Sequence, residues 1–140
     1  MSEELTLSVI GIGIAVATAI ILWIQIHKQT KVDSARFTVE YLDKILVDHQ
    51  EIIKKIRKKH IDKDNSVVFD DRDVRVFLNN LENVVLFEKQ KVLRKDHILN
   101  EMGWVLRTIK NDDFFQEVIK IEQKNNDKAY IEIVSFLEDL

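Results

Sequence analysis

From Leu5 to Ile26 the chain carries no charged residue: LTLSVIGIGIAVATAIILWIQI, with Glu3-Glu4 before it and His27-Lys28 after it. As an α-helix this run rises roughly 33 Å, about the hydrocarbon thickness of a bilayer. In water such a helix exposes apolar surface all round. In lipid its backbone bonds close internally and the exposure carries no penalty. The run predicts a single-pass anchor in the lipid bilayer through residues 5–26, which leaves room for one small domain in a chain of 140 residues.

A cleaved secretory signal has a basic leader, a shorter apolar core and a small-residue cleavage site. Here the leader is acidic, and Ala17-Thr18-Ala19, which has the A-x-A form, lies mid-run. An uncleaved anchor is therefore expected. Lys28, Lys31 and Arg36 follow the run and no basic residue precedes it. That bias predicts a cell-membrane protein with its N-terminus outside and its C-terminal domain cytoplasmic.

The net charge of −3 hides an uneven distribution. Residues 1–26 hold only Glu3 and Glu4; residues 27–60 hold nine Lys/Arg against five Asp/Glu; residues 61–140 hold twelve against seventeen. A basic zone follows the anchor and an acidic module follows that zone. With no Cys, disulfides and thiolate–metal chemistry are excluded. With no Pro, only Gly11, Gly13 and Gly103, and no alternating strand runs, the chain reads as all-α. Three segments are expected: a transmembrane anchor over 1–27, an amphipathic basic stalk helix over 28–61, and a small helical bundle over 62–140 packing on the stalk.

Gly11-Ile12-Gly13 opens a dinucleotide fingerprint, but position 16 is Val and no acidic partner follows. Packing is the better use. Gly11, Ala15 and Ala19 recur every four residues on one helix face, which lets two spans approach closely and makes a homodimer conceivable. Against this stands the general abundance of small residues in membrane spans.

Thr30-x-x-Asp33 has the form of a helix cap, though nothing there forbids a continuous helix. Beyond it Ala35, Val39, Leu42, Leu46, His49, Ile53, Ile56 and His60 recur at steps of three and four, widened by Ile45 and Ile52. His49 and His60 read as half-buried packing residues rather than metal ligands. After the loop Asp62–Ser66, a helix is expected from Asp70 or Asp71 with Val74, Phe77, Leu78, Leu81, Val84 and Val85 inward. Asp96 would cap the next, with Leu99, Met102, Val105, Leu106 and Ile109 as its core face. Asn111-Asp112-Asp113 would recap, burying Phe115, Val118, Ile119 and Ile121. Asn125-Asn126-Asp127 would do so again, burying Tyr130, Ile131, Val134 and Leu137.

Two stretches invite a chemical reading. Asp62, Asp64, Ser66, Asp70 and Asp73 fall on a calcium-loop template, but Val67 stands where the turn needs Gly and Asp73 where bidentate reach needs Glu. Helix capping explains them better. Lys54, Lys55, Arg57, Lys58 and Lys59 form the dense run KKIRKK. On a continuous stalk this run stands roughly 45 Å beyond the span, several Debye lengths from lipid charge. No aromatic interleaves it, and the module beyond is acidic, so nucleic acid is a poor fit and a solvated face is the expected state. His27, His49, His60 and His97 lack mutual metal spacing, and the His97/Glu101 pair is ordinary on a helix surface. No nucleophile elbow or Gly-rich phosphate loop occurs. No enzyme activity, cofactor or metal is expected.

Within residues 72–140 stand Phe77-Leu78-Asn79-x-Leu81-Glu82, the turn Arg94-Lys95-Asp96 and the pair Phe114-Phe115. On these residues the segment resembles a broad family of small prokaryotic, membrane-anchored helical proteins of the domain-of-unknown-function-4760 type. Such proteins usually carry Gly in the turn, where this chain has Leu93-Arg94-Lys95. The resemblance implies an anchored helical module and assigns no catalytic residue. The expected role is a membrane-anchored interaction or regulatory module with an unidentified protein partner. The alternative is a tethered nucleic-acid binder acting through Lys54–Lys59.

Overall fold

A computed structural model of the protein describes residues 3–140, and all secondary structure in them is helical. The helices are α1 (Glu3–Asp48), α2 (Gln50–His60), α3 (Asp71–Lys89), α4 (Lys95–Asn111), α5 (Asp113–Asn125) and α6 (Ile131–Glu138). The chain divides into two compact units, Met1–Ser34 and Ala35–Leu140.

In the first unit α1 has an 18-residue window of mean hydropathy 2.5, long and apolar enough to cross a membrane, with none of that window buried. Two hydroxyls in this part of α1 bond back to the helix's own carbonyls. Thr18 donates to the Ile14 carbonyl and Thr30 to the Ile26 carbonyl, each at 2.9 Å. A cap at Thr30 would have its oxygen accept from a backbone N–H, and in the continuous helix those N–H groups are taken by carbonyls four residues back. Asp33 instead accepts from the Gln29 amide at 3.2 Å, and the helix runs on without a break.

In the second unit the end of α1 buries Thr38, Leu42 and Ile45, and α2 buries Ile52 and Ile56. Between them His49 leaves helical geometry (φ −114°, ψ 22°), although the His49 N–H still donates to the Ile45 carbonyl and Ile53 N–H to the His49 carbonyl. The inward stripe is thus Thr38, Leu42, Ile45, Ile52 and Ile56; Leu46 and Ile53 flank it half-buried. A polar residue lies at the start of this stripe because Thr38 has a tertiary partner: its Oγ1 accepts from the Arg94 N–H at 3.0 Å.

α3 and α4 form the middle of the unit, each packing on α2, α5 and α6. Asp70 caps α3 by accepting from the Asp73 N–H at 3.1 Å, and all six inward positions expected of α3 are buried. α4 begins two residues earlier than a cap at Asp96 would place it. Its cap position is Arg94, without a side-chain cap bond, and Asp96 is bound in a two-pronged pair to the Arg94 guanidinium. α6, by contrast, begins late. Tyr130 takes the left-handed region (φ 55°), and the N–H groups of Glu132 and Ile133 are capped from a distance by the Glu82 carboxylate of α3, at 3.1 and 2.7 Å. The late start rotates the buried face to Tyr130, Ile133, Phe136 and Leu137, leaving Ile131 exposed; on α5, Ile121 is exposed too.

Candidate interaction surface

The five cations of the basic run on α2 have different surroundings: Lys54, Arg57 and Lys58 are exposed, and Lys55 and Lys59 are half-buried. Lys54 reaches Glu51 at 3.1 Å, both side chains largely in water. Lys55 is half-buried. Arg57 holds its guanidinium carbon 5.6 Å from the centroid of the Trp104 ring on α4. Lys58 pairs with Asp64 at 3.3 Å, in the loop after α2. Lys59 turns inward, its ammonium 2.8 Å from Asp112 Oδ2 and 5.1 Å from the centre of the Phe69 ring.

Asp112 is the hub of this corner, with only 2% of its surface exposed. Its Oδ1 accepts from the N–H groups of Phe114 and Phe115 and so caps α5; its Oδ2 accepts from Lys59 and lies 2.6 Å from His60 Nε2. Burial pushes this carboxyl up, but the bonds from Lys59, the Phe115 N–H and His60, with the Lys59 charge, hold it below the usual carboxylate range. Phe69 packs on Phe114 and Phe115 at 5.8 and 5.2 Å and covers the Lys59 ammonium. His60 is therefore a hydrogen-bonding partner of a buried carboxylate rather than a packing residue.

The calcium-template residues are engaged locally. Asp64 Oδ1 accepts from both the N–H and the hydroxyl of Ser66, at 2.9 and 2.5 Å, and Asp70 caps α3. Among the described residues no group of three or more His, Cys, Asp or Glu side chains could hold a metal.

Two concavities lie beside α2. One, about 510 Å³, is lined by Asp48, His49, Glu51, Ile52, Arg72, Asp73 and Val76. His49 packs on Phe77 at 5.1 Å, and its Nε2 lies 2.6 Å from the Asn80 amide nitrogen, so the neutral ring accepts there. Burial lowers the His49 pKa, against the opposing pull of Asp48 and Asp73. The other, about 360 Å³, runs between α2 and α4 over Leu46, Ile53 and Trp104, with Lys54, Arg57 and Glu101 on its edges. The small-residue face of the first unit, Gly11, Ala15 and Ala19, is exposed, with open space beside the Gly11 Cα.

The sequence reading isolated the basic run but missed Asp112 and Trp104 as its partners. Asp112 is recognisable in sequence as a cap; its pairing with residues more than fifty positions away leaves no local signal. Comparison with family models, curated proteins and solved structures returns no match for this chain. Among the described residues, fold and surface define an all-helical protein with one helix long and apolar enough to cross a membrane.

Proposed function

We propose that this chain is a membrane-anchored interaction module, held in a cell membrane by residues 5–26, with its N-terminus outside and its helical unit in the cytoplasm. It acts by binding a protein rather than by catalysis. One observation carries the reading: a fully exposed apolar helical segment stands in the same chain as a unit with its own continuous core. Exposed apolar surface on that scale needs lipid or another chain to cover it. The resemblance to small anchored helical proteins supports the same role. Pairing of two spans over Gly11, Ala15 and Ala19 belongs to the proposal as well.

Nucleic-acid binding is the second reading, and the partners of α2 weigh against it. Lys59 is ion-paired with the buried Asp112 and Lys58 with Asp64, which leaves Lys54, Lys55 and Arg57 of the run. Few cations remain to release counterions from a phosphate backbone.

The chain has no Cys, so single cysteines can be labelled without background. A cysteine at Glu4 should react with a membrane-impermeant maleimide on intact cells, and one at Asp139 only after permeabilisation. The reverse pattern, or release of the protein by alkaline carbonate, would remove the proposed topology. Lysine crosslinking in cells should yield a discrete protein adduct, whereas adducts with nucleic acid alone would favour the second reading.

A further inference from the structure

We infer that the groove between α2 and α4 is a docking surface for an acidic, amphipathic helix of a partner protein. This rests on the interaction-module reading above and names the class of partner. The floor is Leu46, Ile53 and Trp104, half-buried side chains packed against the core yet still open to solvent. An apolar strip of this kind receives the i, i+3, i+4 side chains of one helix face.

Charge selects the occupant. Lys54 and Arg57 stand one turn apart on the α2 edge of the groove. The Arg57 guanidinium carbon lies over the Trp104 ring, and the guanidinium brings several N–H donors that can take a carboxylate. Among the described residues no carboxylate forms an ion pair with Arg57, Arg72 or Arg107, whereas Arg36, Arg75 and Arg94 are paired; of the three unpaired arginines Arg57 is the one on this groove. The Lys54–Glu51 pair is exposed on both sides and exchanges readily for another carboxylate. A planar cation, held by an aromatic ring beside an apolar floor, is the arrangement that recognises a carboxylate flanked by hydrophobic side chains. Glu101 on the far edge repels acid and sets the direction. The partner's carboxylates lie over α2, and its uncharged or basic edge lies over α4.

Trp104 reports on this groove directly, since Trp23 is the other of only two tryptophans. The full chain carrying Trp23→Phe, reconstituted in lipid nanodiscs, would be titrated with synthetic amphipathic helices bearing Leu or Phe on one face and Glu beside it. The expected result is a saturable blue shift of Trp104 emission. Arg57→Glu should weaken the interaction at least about tenfold, and helices with Gln in place of Glu should bind at least about tenfold more weakly. Lys120→Glu, at an exposed position on α5, should leave binding unchanged. If circular dichroism shows that Arg57→Glu does not fold, Lys54→Gln with Arg57→Gln carries the same expectation. No saturable shift with any acidic helix, equal binding of the Gln helices, or indifference to Arg57 would overturn the inference. A shift produced by duplex DNA and not by peptide would overturn it in favour of nucleic acid. The cysteine-labelling pattern is independent of this groove, so failure of the anchoring proposal would show separately.

Discussion

At the scale of single residues the two titratable side chains that matter are Asp112 and His49, and they are acid-labile in different windows. Asp112 is ionised, buried and satisfied on both oxygens. Its folded pKa lies below the unfolded value of about 3.9, so its contribution is complete above that pH. It is lost as pH falls from there through the folded value. Asp112→Asn should flatten the acid limb of a stability–pH profile below about pH 4. Asp112→Ala, which also removes the cap of α5 and strands Lys59, should cost about 2–4 kcal/mol in denaturant unfolding at neutral pH. His49 is lowered by burial, so the unfolded chain takes up its proton first. Its contribution is complete above about pH 6.5 and falls as pH drops from there. His49→Gln should abolish that upper slope and leave the Asp112 limb intact. A profile that retains both limbs in both variants would show that other groups control the acid transition.

Among the elements, α3 was the most legible from sequence and α6 the least. α3 has an aspartate cap and an uninterrupted three–four pattern, and local rules alone place its six buried residues. α6 is capped by Glu82 from another helix, so its start, and with it the inward face, is decided by tertiary contact. The same cause shifted the stripe on α1 and α2. Periodicity cannot tell which of two adjacent rows of isoleucine faces the core when a threonine with a distant partner sits on the winning row. The two rows now make separate predictions. Ile56, fully buried, should lose about 2–5 kcal/mol on substitution by Ala. Ile53, on the open side of the groove, should lose only about 1 kcal/mol, because part of its surface already meets water. Equal losses in urea midpoint would mean that the rows are packed alike.

For the molecule as a whole, the decisive quantity is how much of the core comes from residues before Asp62. Leu42, Ile45, Ile52 and Ile56 are all buried there, and Thr38 holds the turn that opens α4. A side chain of this size is worth about 1.5–3 kcal/mol when buried, and a domain has only about 5–15 kcal/mol of net stability. Losing four of them consumes most or all of that margin. A fragment over residues 35–140 keeps every buried apolar residue of the core and should melt in one cooperative transition. A fragment over residues 62–140 should show no cooperative melt and should bind a dye for exposed apolar surface, because α3 and α4 would lack the helix packed against them. The sequence reading drew a segment boundary at the loop after His60 and expected the bundle over 62–140 to pack on the stalk; the compact unit, Ala35–Leu140, takes in residues on both sides of that loop. Loops mark where helices end; only packing shows which helices share a core. If the shorter fragment melts as sharply as the longer one, residues 35–61 are dispensable to the fold. Their apolar row would then be free to pair with a second chain as a coiled coil.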